Sequence, residues 1–193
     1  SRPMVPDLSE IRGITYRNSD GSIIETQPRP VLDLSTVPFV YEHIGNFRNR
    51  IIYYESSRGC PFSCSYCLSS IDKCLRLRDL DLVKRELRFF IDHEVPQVKF
   101  VDRTFNCRHD HAMAVWNYIK EHDKGMTNFH FEIAADLLNE EETELIRSMR
   151  PGLIQLEIGI QSANRETISE IKRKMDLEKV ERTVAQIREN RNV

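Results

Sequence analysis

The feature that most constrains this chain is a repeating change of hydrophobic period that starts at residue 51 and runs to the C-terminus. Ile51 to Glu55 is a short apolar run of strand type. Residues 79–93 carry Leu80, Val83, Leu87 and Phe90/Ile91 at helical spacing. Gln97 to Asp102 predicts a second strand around Val98, Phe100 and Val101, and Ala112, Val115, Trp116 and Ile119 mark a second helix. Phe129 to Ala134 is a third strand. Asn139, with Glu142 three residues on, predicts a capped helix continued by Leu145, Ile146 and Met149. Leu153 to Ile160 is the fourth strand, and Asn164 and Asp176 are N-caps of two further helices. Four βα units in succession predict an α/β fold with a parallel sheet and right-handed crossovers. Polar and special residues gather just after the strands, in 58–67, 102–106, 135–136 and 161–162, where such sheets carry their sites.

The first fifty residues read differently. Ile14–Arg17 and Ile23–Thr26 flank Asn18-Ser19-Asp20-Gly21, which predicts a β-hairpin. Pro28, Pro30 and Pro38 follow without helical period, so 27–49 is expected to be an extended connector. The division expected is a lead-in with a β-hairpin over 1–49 and the run of βα units, a partial barrel, over 50–193.

Composition narrows the function classes. Of 193 residues, 40% are hydrophobic and 30% charged, as in a soluble globular domain, and a net charge of −2 gives no general reason to bind nucleic acid. No apolar run is long enough to span a membrane, and no signal-peptide pattern opens the chain. Three of the five cysteines fall in Cys60-Pro61-Phe62-Ser63-Cys64-Ser65-Tyr66-Cys67. Such crowding is poor disulfide geometry and good metal-ligand geometry, and it implies a reducing, cytoplasmic setting. Thiolates suit zinc or an iron–sulfur cluster. Zinc wants four ligands, and Cys74 could supply the fourth, while a cubane on three thiolates keeps one iron open. Cys74 and Cys107 otherwise read as inert buried thiols, and His109 and His111 as the solvated start of a helix.

Ser57-Arg58-Gly59-Cys60-Pro61-Phe62-Ser63-Cys64-Ser65-Tyr66-Cys67, placed between a strand and a helix, resembles the signature of the radical S-adenosylmethionine (SAM) superfamily. The resemblance implies that Cys60, Cys64 and Cys67 ligate a [4Fe–4S] cluster whose open iron chelates SAM. One electron then cleaves SAM to methionine and a 5′-deoxyadenosyl radical, with Tyr66 near the adenine. Val98-Lys99-Phe100-Val101-Asp102-Arg103-Thr104-Phe105-Asn106 resembles the second-strand motif of cobalamin-associated members, which implies that Asp102 contacts the SAM amino group; the plainer role is a turn cap. Leu156-Glu157-Ile158-Gly159-Ile160-Gln161-Ser162 resembles the fourth-strand motif, with Glu157 and Gln161 on one face as SAM contacts or as a satisfied polar pair. Glu132 points similarly. Arg173 resembles a helix arginine that pairs with the methionine carboxylate, against a solvated surface position.

The resemblance covers residues 12–193 and implies a partial TIM-like (β/α) barrel, about four βα units of the roughly six expected. Gly13-Ile14-Thr15-Tyr16-Arg17 and Pro38-Phe39-Val40-Tyr41 resemble the connector from a cobalamin-binding domain, so the chain reads as the central piece of a larger cobalamin-dependent enzyme that methylates or rearranges its substrate. An electron donor such as flavodoxin or ferredoxin is implied. An unpaired fourth strand would invite homodimerisation. The alternatives are an RNA methylthiotransferase-like enzyme, or a non-catalytic zinc or iron–sulfur module completed by Cys74.

Overall fold

The computed structural model describes residues 7–47, 50–71 and 73–193. The chain divides into two compact units, one through Leu32 and one from Asp33 to Val193. The first unit holds the expected hairpin. Strands β1 (Thr15–Arg17) and β2 (Ile23–Glu25) pair antiparallel with Tyr16 opposite Ile24. Gly21 takes φ +88°, and Asp20 accepts from the Ser22 amide at 2.9 Å, which fixes the turn.

The second unit is built on a parallel sheet whose order follows the sequence: β3 (Ile52–Tyr54), β6 (Gln97–Phe100), β7 (Asn128–Ile133) and β8 (Ile154–Ile158). Between β3 and β6 lies a two-stranded ribbon, β4 (Ser57–Arg58) with β5 (Arg76–Leu77). Helices α1 (Leu80–Asp92), α2 (His109–His122) and α3 (Glu140–Arg147) lead into β6, β7 and β8 in turn, and α4 (Arg165–Glu170) and α5 (Leu177–Glu189) follow β8. The expected caps are in place: Asn139 and Glu142 form a reciprocal capping box, and Asn164 and Asp176 accept from the amides of Thr167 and Lys179. Among the described residues no helix is long and apolar enough to cross a membrane.

The period of two along each strand separates the sheet's faces. Ile52, Tyr54, Val98, Phe100, Phe129, Phe131, Ile133 and Ile154 are buried in one core with Val83, Leu87 and Phe90 of α1 and Val115, Trp116 and Ile119 of α2. Phe131 is its centre, with ring centroids 4.4 Å from both Phe100 and Phe105. The opposite face presents Tyr53, Lys99, His130, Glu132, Gln155 and Glu157.

The expected connector is corrected in part. Residues 33–47 belong with the sheet, so the second unit begins at Asp33 rather than residue 50. They form two 3-10 turns, Leu34–Thr36 and Ile44–Phe47, and Phe39, Tyr41, Ile44 and Phe47 pack on the core. The reason is a partner distant in sequence. Buried Arg78 donates to the carbonyls of Leu34 and Val37 and pairs with Glu86 at 2.5 Å, while the Tyr54 hydroxyl donates to Glu86 at 2.6 Å. Residues 1–6, 48 and 49 of the expected lead-in lie outside the described residues. Replacing Arg78→Met strands the Glu86 carboxylate in the core and releases two strap carbonyls. The expected loss is about 3 kcal/mol of unfolding free energy by denaturant titration, most of it recovered in Arg78→Met/Glu86→Leu.

Candidate functional site

The cysteine loop leaves β4 at Gly59, whose φ is +100°. A Cβ there would stand 2.3 Å from the Cys74 carbonyl oxygen, so only glycine fits between the loop and the chain returning to β5. Cys60 and Cys64 are buried and Cys67 is half-buried. The Cys67 amide donates to the Cys64 carbonyl at 3.2 Å, which curls the loop so that all three thiols line one cavity. Cys60 Sγ lies 3.8 Å from the Thr104 hydroxyl at the end of β6.

A turn after α4 holds the far side of the loop. Lys172 takes φ +54°, and the Ser65 amide donates to the Ile171 carbonyl at 2.9 Å. Arg173 donates to the Tyr66 hydroxyl at 3.1 Å and to the Gly159 carbonyl, joining the loop to the end of β8. Its Nε is buried without a hydrogen-bond partner among the described residues. Gln161 adopts φ +62° and folds over Gly159; a Cβ at Gly159 would meet the Gln161 amide at 2.8 Å.

The cavity has a volume of about 340 Å³. Eight of the nine residues expected at the site line it: Cys60, Cys64, Cys67, Tyr66, Glu132, Glu157, Gln161 and Arg173. Glu132 and Glu157 are direct neighbours across β7 and β8. Behind them Lys99 donates to Glu157 at 3.0 Å and stands 3.9 Å from Glu132, and His130 Nε2 is 3.1 Å from Glu157. The hydrogen bond from Lys99, with His130 adding to it, holds the Glu157 carboxyl below the usual range.

The exception is Asp102, which is not among the cavity-lining residues. It is fully buried and accepts from the Ser56 amide at 3.0 Å and the Ser56 hydroxyl at 2.9 Å, and that hydroxyl lies 3.0 Å from His111 Nε2. Burial pushes its carboxyl up to about 6, against the hydrogen bonds of Ser57 and Ser56. The physical reason is strand parity. Asp102 continues the Val98–Phe100 series toward the helices, whereas Arg103 falls on the cavity side and lines it. The same parity rule would have found Arg103. Thr104 and Asp136, from the segments that follow the second and third strands, also line the cavity, as does Lys174. His111 is buried against Ser56 rather than solvated, and Cys74 is exposed rather than buried. Burial pushes the half-buried Cys107 thiol up to about 11, as befits an inert thiol.

The donor set can be tested against the two metal chemistries. Among the described residues no three His, Cys, Asp or Glu side chains converge on one ion, and Cys74 does not line the cavity. Three soft thiols facing one open cavity fit a cubane, in which each thiolate takes its own iron and the fourth iron stays accessible.

Comparison with known proteins finds relatives in both sequence and fold. A 2-(S-pantetheinyl)-carbapenam-3-carboxylate methyltransferase from Streptantibioticus cattleyicolor is 35% identical over 114 residues, covering 52% of this chain and 16% of the relative. The radical SAM methyltransferase TsrM from Kitasatospora setae, solved with tryptophan substrate and a SAM analogue, superposes with TM-score 0.73 at 18% identity, over 97% of this chain and 40% of that one. The cobalamin-dependent SAM radical enzyme OxsB, solved with aqua-cobalamin and SAM, gives TM-score 0.72 at 17% identity, over 94% of this chain and 28% of that one. The chain thus spans less than half the length of each. The radical SAM superfamily model matches residues 54–193. The chain belongs to that superfamily of enzymes, with a [4Fe–4S] cluster and SAM as its cofactors.

Proposed function

We propose that this chain is the cluster- and SAM-binding part of a cobalamin-dependent radical SAM methyltransferase, folded as about four βα units of a larger barrel. The observation that carries the reading is the convergence of Cys60, Cys64, Cys67, Tyr66, Glu132, Glu157, Gln161 and Arg173 on one cavity at the carboxyl ends of β7 and β8. Methyl transfer is favoured over rearrangement because the curated relative and TsrM are both named methyltransferases. Cobalamin is the further cofactor that this reading implies, since OxsB was solved with aqua-cobalamin together with SAM.

In this reading the three thiolates hold the cluster, and the burial of Cys60 and Cys64 keeps water from two of its sulfur ligands. When bound and reduced, the cluster supplies the electron that breaks a carbon–sulfur bond of SAM. Glu132 and Glu157 offer carboxylate oxygens to ribose hydroxyls or the methionine ammonium, and Gln161 adds an amide beside the bare backbone of Gly159. Arg173 has a buried, unpartnered Nε suited to a carboxylate. A small electron-transfer protein of the flavodoxin or ferredoxin class would reduce the cluster.

Iron and sulfide analysis after anaerobic reconstitution tests the assignment. Alanine at Cys60, Cys64 or Cys67 is expected to lose the cluster, and Cys74→Ala to keep it. Retention in the first three, or loss in the fourth, would overturn the reading. Gly59→Ala is expected to lower both thermal stability and iron loading, because the Cys74 carbonyl has no room to move from a Cβ.

A further inference from the structure

Two features of the uncovered sheet face are unusual for their chemistry. Glu132 and Glu157 stand directly opposite each other on adjacent strands, and like charges so placed repel. One rung earlier, Lys99 and His130 are themselves cross-strand partners, and neither lines the cavity. Lys99 Nζ reaches forward to lie 3.0 Å from Glu157 and 3.9 Å from Glu132, spanning three strands to sit between the two carboxylates. His130, with only 12% of its side chain exposed, places Nε2 3.1 Å from the Glu157 oxygen that Lys99 also engages. A carboxylate can only accept, so His130 serves here as a donor.

We propose that Lys99 and His130 are positioning residues that neutralise the Glu132–Glu157 repulsion and aim Glu157 into the cavity to receive SAM. The inference rests on the reading above and deepens it: the carboxylates touch the ligand, and the two donors behind them set their geometry. Lys99 donates to Glu157 Oε2, and His130 Nε2 lies 3.1 Å from the same oxygen, so both act on one side of the carboxylate. A long cationic side chain is required rather than a neutral polar group, because one positive charge must serve the carboxylates of two strands at once. His130 needs only a ring N–H at its position.

The test compares wild type, Lys99→Met, Lys99→Arg and His130→Gln as anaerobically reconstituted full chains, by iron content, melting temperature and SAM affinity in isothermal calorimetry. Lys99→Met is expected to weaken SAM binding by roughly tenfold with iron content unchanged, since a charge-assisted pair is lost. Lys99→Arg should return to within about threefold of wild type. His130→Gln, which keeps an N–H donor, should lose no more than about threefold and serves if Lys99→Met fails to fold. Wild-type affinity in Lys99→Met overturns the inference alone. So does a loss in Lys99→Met that arginine does not rescue, or a His130→Gln variant that binds no SAM. A wild-type chain that loads iron yet binds no SAM overturns this inference and the functional reading together.

Discussion

The alternation of side chains along four parallel strands is the constraint on which the remaining structure depends. It sends Phe100 and Phe131 toward the helices and Lys99, His130, Glu132 and Glu157 the other way. The apolar half supplies the driving force, since burying each large side chain is worth about 2 kcal/mol. The polar half could not be covered by a second helix layer without stranding its charges. A parallel sheet usually reads as apolar on both faces, so a polar second face marks the side left for a ligand. Strand ends on that side carry Gly159 and Gln161, and the cysteine loop closes over them.

Stability and chemistry meet at that loop. Gly59 lets it start beside Cys74, the Ser65–Ile171 hydrogen bond ties its middle to the turn after α4, and Arg173 ties Tyr66 to Gly159. On the opposite side of the sheet, Ser56, Asp102 and His111 form a buried network that fixes the ends of β3 and β6.

Much of this was legible in the sequence, for physical reasons that differ by residue. The four strands and the caps at Asn139, Asn164 and Asp176 rest on local periodicity and short-range hydrogen bonds. The cysteine spacing is local too. The strap over 33–47 was illegible because its partner, Arg78, is 41 to 44 residues away from the carbonyls it binds. The ribbon of β4 and β5 is too short for any period to show. Asp102 lies off the cavity because strand parity turns it toward the helices and leaves Arg103 on the cavity side. Lys99 falls inside the second-strand motif without standing out and His130 falls in none, and their meeting at Glu157 emerges only once the strand register is known.

The central claim is that three thiolates hold a cluster whose fourth iron is open to SAM. Electron paramagnetic resonance of the anaerobically reconstituted, chemically reduced chain, recorded with and without SAM, tests it directly. The account predicts the signal of a reduced [4Fe–4S] cluster whose g-values shift when SAM is added. A signal that SAM leaves unchanged, in a chain with full iron and sulfide content, would contradict it.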